Sequence, residues 1–188
     1  VLERNMQRNP RKDHRTTIVH FGFATPEQVQ RIVALDAIVS ANPYYTVALA
    51  DRYSEVGIGP ERAQEMVRLG DVAKAGIPFS LHSDMPMAPA QPLFLMWSAV
   101  NRITPSGKVA GPEQRITAKQ ALRAVTLDAA YSLRLEDEIG SITSGKLANF
   151  TIVEQSPLQV KPTAIKDIKI WGTVLEGRMQ PILAPAVN

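Results

Sequence analysis

The chain has 188 residues, 45% hydrophobic and 21% charged, a mix that suits one globular domain or one domain with a small companion. A net charge of +3, spread along the chain with one modest cluster at Arg8, Arg11, Lys12 and Arg15, is too little for a nucleic-acid surface and reads as a solvated face. The lack of cysteine excludes disulfides and thiolate metal ligands, and no apolar run reaches membrane-spanning length.

No signal peptide and no membrane contact are expected. The cytoplasm is the favoured compartment, although cysteine usage alone does not fix it. Val1 in place of Met points to a processed chain or a piece of something longer.

Residues 1–15 are polar and basic and read as the tail of a preceding unit. Thr16 to His20 is a short strand rich in β-branched residues, closed by His20. Thr25 is an N-cap, Pro26 takes the first helical position and Gln28 completes a capping box. Val29, Ile32 and Val33 form the apolar stripe of that helix. Ala37 to Ala41 is the next strand, ended by Pro43. Strand, helix and strand at this spacing make a right-handed parallel βαβ unit.

A long loop is expected after Pro43, carrying Tyr44, Tyr45, Asp51, Arg52 and Tyr53. A helix from Pro60 to about Ala75 follows, stopped by Gly76. Ile77 to Leu81 is then a short apolar run of the kind that forms a buried parallel strand. At its end come His82, Ser83 and Asp84, with Pro86 closing the stretch. In a barrel of parallel strands this end meets the substrate. A carboxylate there can hold a divalent metal and take a proton from water. The competing reading of Asp84 is a capping residue before a turn.

Leu93 to Val100 is apolar nearly all round and reads as a buried helix, with Met96 and Trp97 as core. A surface loop spans Thr104 to Pro112. Thr117 caps the next helix with Gln120 three residues on, and a further short helix covers about Leu127 to Leu133. The character then changes. Phe150 to Val153 and Ile165 to Leu175 are β-rich, and Glu176-Gly177 reads as a hairpin turn into Met179 to Ile182. Three strands make a weak independent sheet, so they are expected to complete one begun elsewhere.

Several ordered pieces resemble the C-terminal part of the amidohydrolase superfamily, in its family 3 branch. Arg15-Thr16-Thr17-Ile18-Val19-His20 resembles the sixth strand of that barrel. Ile38-Val39-Ser40-Ala41-Asn42-Pro43 is similar to the seventh, and Leu81-His82-Ser83-Asp84-Met85-Pro86 to the eighth. Ala99-Val100-Asn101-Arg102, Arg115-Ile116-Thr117, Gln120-Ala121-Leu122 and Thr126 follow in the family's order. So do Gly140-Ser141-Ile142 and Gly145-Lys146-Leu147-Ala148-Asn149, where Asn149 replaces the usual Asp. The resemblance runs from about residue 15 to 182.

The resemblance implies an α/β fold: the C-terminal portion of a (β/α)8 TIM-type metallo-hydrolase barrel in residues 1–134, and strands of a small β-domain in 135–188. It implies hydrolysis of non-peptide carbon–nitrogen bonds with a divalent metal, zinc by preference, in the full-length protein. His20 would be a metal ligand. Asp84 would be a metal ligand and the catalytic base. The family's His-x-His pair, its fourth-strand carboxylate or modified lysine and its fifth-strand histidine have no counterpart here. The chain is therefore expected to be a C-terminal fragment, inactive alone and metal-free or weakly metal-binding. The alternative is a non-catalytic amidohydrolase-like binding or regulatory protein.

Among the remaining candidates, His82 lies two residues before Asp84, so a role behind the ligands or at the substrate competes with packing. Tyr44 and Tyr45 could line the pocket or pack as aromatics. Arg102 could meet an anionic substrate group or serve structure, and structure is favoured. His14 is expected to face solvent, and Lys146 to sit in a turn. The expected partners are a small-molecule substrate and further copies of the chain, through the open strand edges of a cut barrel.

Overall fold

Two capping boxes fix helix starts where the sequence placed them. In a computed structural model, which describes residues 1–181, the Thr25 side chain accepts from the Gln28 amide, and the Gln28 side chain accepts from the Thr25 amide. Thr117 and Gln120 repeat the pair. These caps open α2 (Pro26–Ala34) and α7 (Ala118–Ala124).

Three parallel strands form the first sheet, β1 (Thr17–His20), β2 (Ile38–Ala41) and β3 (Phe79–Leu81), in the order β1-β2-β3. His20 is level with Ala41, and Ala41 with Leu81, so the carboxyl ends of all three strands are aligned. β2 and β3 are buried and packed on helices, as an apolar parallel strand requires. β1 is different. Ile18 and Val19 are exposed, whereas β3, the other edge strand, is covered by the helices that follow it. The sheet is open; the described residues form no closed barrel.

Several expected elements differ. Residues 1–15 are not all tail: α1 (Leu2–Arg8) is a helix held by the Glu3–Arg31 ion pair, with Leu2 against the core. The stretch after Pro43 is α3 (Tyr44–Val56), not a loop. Pro43 takes the N-cap position, and the Asn42 side-chain oxygen accepts from the Tyr44 amide. Thr46, Val47 and Ala50 then form a buried stripe at helical spacing.

The helix expected from Pro60 to Ala75 is two, α4 (Pro60–Gln64) and α5 (Leu69–Lys74). Val67 between them has a φ of +50°, which no continuous helix allows. Arg102 holds the break open by donating to the carbonyls of Gln64, Met66 and Val67. This is a long-range cause that local pattern cannot show.

The buried helix after the third strand is α6 (Pro92–Asn101), and α8 (Leu127–Ser132) follows α7. The last strands are β4 (Phe150–Val153), β5 (Ile170–Leu175) and β6 (Arg178–Pro181). They pair with one another in the antiparallel order β4-β5-β6, a sheet separate from the first among the described residues. Ile165 to Asp167, read as the start of β5, instead belong to a 3-10 turn, Pro162–Asp167. Glu176 and Gly177 both have positive φ, as a two-residue hairpin turn needs. Ile182 lies outside the described residues.

Candidate active site

The carboxyl end of β1 is a tight turn. The Phe21 amide reaches back to the Val19 carbonyl at 2.8 Å, closing three residues around His20, whose φ is +66°. Asp84 is also left-handed, at φ +53°. Histidine and aspartate tolerate this region better than most residues, and strained backbone of this kind concentrates at functional sites.

Buried Asn42, at the end of β2, ties the two neighbouring segments together. Its amide bonds to the His20 carbonyl at 3.0 Å, and its side-chain nitrogen donates to the Ser83 carbonyl at 3.1 Å. The His82 amide continues the ladder to the Ala41 carbonyl at 2.9 Å. The polar residues that follow β3 are thereby held beside the end of β1.

The result brings His20, His82 and Asp84 together. His20 Nδ1 and Asp84 Oδ2 lie 3.8 Å apart, and both side chains are about half exposed. His20 Nδ1 and His82 Nε2 are 3.0 Å apart, and the other nitrogen of His82, Nδ1, is 2.9 Å from Ser40 Oγ. Tyr45, from the first turn of α3, points its hydroxyl at Asp84 Oδ2 over 3.5 Å, a long contact, and tilts its ring over His20.

The electrostatics follow from burial. Partial burial, with His20 close by, holds the His82 imidazole below its ordinary pKa, while Asp84 pulls the other way. Burial and the Asp84 carboxylate both raise the Tyr45 phenol, so Tyr45 remains a neutral donor.

Other expected residues fall elsewhere. Both tyrosines pack against the core, Tyr44 on Phe94 at 5.6 Å between ring centres, and it is Tyr45 whose hydroxyl faces Asp84. Arg102 is buried and spent on backbone carbonyls, so it offers no exposed cation to a substrate. His14 is half-buried rather than free in solvent: Nε2 donates to the Leu35 carbonyl at 2.7 Å, and Nδ1 accepts from the Thr16 amide at 3.0 Å. Tyr45 was read together with Tyr44 as able to line the pocket, while Ser40 and Asn42 were given no role at the site. The legible signal was a polar Ser-x-Asn at the end of an otherwise buried strand.

A metal is implied by the resemblance, and the donors can be tested for it. An imidazole nitrogen and a carboxylate oxygen are both ligands of zinc and similar ions. The His20 and Asp84 side chains stand side by side at the aligned strand ends, so their chemistry fits as part of a site. Among the described residues, no group of three or more His, Cys, Asp or Glu is arranged to hold a metal by itself.

Imidazoles and a carboxylate gathered at the carboxyl ends of parallel strands define a class of site suited to binding metal and moving protons. The chain belongs to the Amidohydrolase family, whose model matches residues 1–180. It is 30% identical over 92% of its length to N-substituted formamide deformylase from Arthrobacter pascens, and 33% identical over 77% to protein LONG AFTER FAR-RED 3 from Arabidopsis thaliana. It spans 32% of the first of these relatives and 25% of the second.

Among solved structures, it superposes on an uncharacterized metal-dependent hydrolase from Pyrococcus furiosus with a TM-score of 0.67 and 26% identity. That match covers 84% of this chain and 31% of the other. A zinc-bound adenosine deaminase from Xanthomonas campestris, 20% identical, shares the fold with a TM-score of 0.65, over 99% of this chain and 42% of its own.

Proposed function

We propose that this chain is the C-terminal part of a metal-dependent amidohydrolase that hydrolyses non-peptide carbon–nitrogen bonds. In this reading residues 1–134 complete a (β/α)8 barrel supplied mostly by the rest of the longer protein, and 135–188 contribute to its small β-domain. The single observation that carries the proposal is the approach of His20 and Asp84 to 3.8 Å at aligned strand ends, in a chain that the family model matches along nearly its whole length.

His20 and Asp84 would hold a divalent ion, zinc by preference, together with ligands from the rest of the protein. When bound, such an ion polarises the carbonyl and makes water more acidic. Asp84 accepts the proton of the attacking water as its oxygen bonds to the carbonyl carbon. The carbon–nitrogen bond then breaks, and Asp84 returns the proton to the departing nitrogen, leaving an acid and an amine. Tyr45 donates toward the Asp84 carboxylate and orients it. Small N-acylated amines are the substrate class to try first, because a deformylase of N-substituted formamides is among the relatives.

The test is the full-length protein, metal-loaded, on a panel of N-formyl amines and cyclic amides. Asp84→Asn keeps the shape and removes the base, and is expected to lower kcat by about 10²–10⁴-fold with little change in melting temperature. A full-length protein with no turnover that still binds these compounds would favour the binding or regulatory alternative.

A further inference from the structure

Histidine 82 is the one titratable side chain at the site to which the proposed reaction gives no task. Both of its nitrogens are engaged, Nδ1 with Ser40 Oγ at 2.9 Å and Nε2 with His20 Nδ1 at 3.0 Å. Ser40 is carried by β2 and half-buried, so the three side chains form a line from the interior of the sheet to its carboxyl edge.

We infer that Ser40 and His82 are positioning residues that hold the His20 ring through its Nδ1 and leave its Nε2 as the free nitrogen for a metal. The inference rests on the reading of His20 as a ligand and goes one step past it. Two neutral imidazoles joined nitrogen to nitrogen need one donor and one acceptor. A serine hydroxyl can rotate to suit either case, so Ser40 holds the His82 ring in place, and the direction at His20 follows from the reading of its Nε2 as the ligand. When His20 Nδ1–H donates to His82 Nε2, His82 carries its own proton on Nδ1 and donates to Ser40 Oγ. Every polar atom of the line is used in either direction, but only in this one does His20 Nε2 keep a lone pair.

The reverse direction protonates His20 Nε2 and blocks that nitrogen. A ligating histidine whose second nitrogen is held by a fixed partner is the arrangement that orients metal ligands generally. A histidine kept for packing alone would need neither Ser40 nor His20 at hydrogen-bonding distance.

The experiment uses the full-length protein, metal-free and then titrated with Co²⁺. Long-range ¹⁵N–¹H correlation in the metal-free protein is expected to show His20 as the Nδ1–H tautomer. His82→Ala should scramble that tautomer and weaken Co²⁺ binding by about 10–100-fold. His82→Gln, whose amide oxygen can still accept from His20, should recover most of the affinity, and Ser40→Ala should show a smaller loss of the same kind. His20 found as the Nε2–H tautomer, or unchanged Co²⁺ affinity in His82→Ala, overturns the inference. If His20→Ala also leaves Co²⁺ binding intact, the ligand reading of His20 fails instead. The tautomer measurement decides the role of His82 in either case.

Discussion

Arg102 shows how one side chain can shape a surface it does not reach. It is 1% exposed, and its guanidinium donates to the carbonyls of Val67, Gln64 and Met66 at 3.0, 3.0 and 2.7 Å, and to that of Ala110. Burial lowers its pKa to about 10, so it is still charged at neutral pH. The carbonyls stabilise the left-handed Val67, whose amide in turn bonds to the Gly22 carbonyl at 3.1 Å, two residues from His20. Arg102→Met would leave these acceptors buried without donors. A loss of about 3 kcal/mol or more in urea unfolding is expected, since each buried unsatisfied polar group costs about 1–3 kcal/mol. A loss within about 0.5 kcal/mol, ordinary for a surface change, would show that water or rearranged backbone can replace the guanidinium.

At the scale of elements, the helices begun by capping boxes are the parts of the fold that local chemistry decides. Thr25→Ala and Thr117→Ala each remove a side-chain acceptor from an otherwise orphaned amide, and each should cost about 1 kcal/mol by chemical denaturation. Replacement by Ser should restore most of it. The same locality explains what was legible in the sequence. Thr25 to Gln28, Thr117 to Gln120 and Glu176-Gly177 signal through neighbours a few residues away. Likewise, His20 and Asp84 were marked by their position at strand ends and by the order of the motifs.

The misread elements depend on distant partners or on one side chain acting out of type. Pro43 read as a stop, but the Asn42 side chain caps the turn and α3 begins there. The break between α4 and α5 is held by Arg102, 35 residues beyond Val67. Tyr45 rather than Tyr44 reaches the site because the start of α3 sets which of two adjacent residues faces Asp84. No sequence pattern distinguishes two consecutive tyrosines until that helix has a phase.

For the molecule as a whole, charge and edges set two expectations. Asp13, Arg15, Tyr131, Arg134 and Glu136 link the segment before β1 to the end of α8 and the turn after it. Arg15 pairs with Asp13 and Glu136 and lies 3.8 Å from the centre of the Tyr131 ring, and Arg134 pairs with Asp13 at 3.0 Å. The hydrogen bond from Arg15, helped by Arg134 and Tyr131, holds the Asp13 carboxyl at about 2. A depressed carboxylate adds stability that is fully present above its unfolded value near 3.8 and is lost as pH falls through about 2. Melting curves from pH 5 to 2 should therefore fall less steeply for Asp13→Asn than for the parent chain. The effect should be modest and weakened by salt, because these groups are solvent-exposed. The second expectation concerns β1, an edge strand with Val19 56% and nearby Phe23 51% exposed. Unpaired edges of this kind recruit other chains. The 188-residue chain alone is expected to self-associate in light scattering coupled to size exclusion, and a clean monomer at micromolar concentration would count against pairing through this edge.

The helix α6 is apolar nearly all round, and both of its sides are occupied. One side meets the parallel sheet. On the other, Trp97 Nε1 donates to the Thr163 carbonyl at 3.0 Å, and Asn101 donates to that of Pro162 at 2.9 Å, with Ile165 enclosed in the same core. A helix without a solvent face belongs to neither neighbour alone, and its burial is lost if either one leaves. The parallel sheet and the turn that leads into β5 are thus coupled through a shared interior, and heat should melt them in a single cooperative step, although among the described residues no strand of one sheet pairs with a strand of the other.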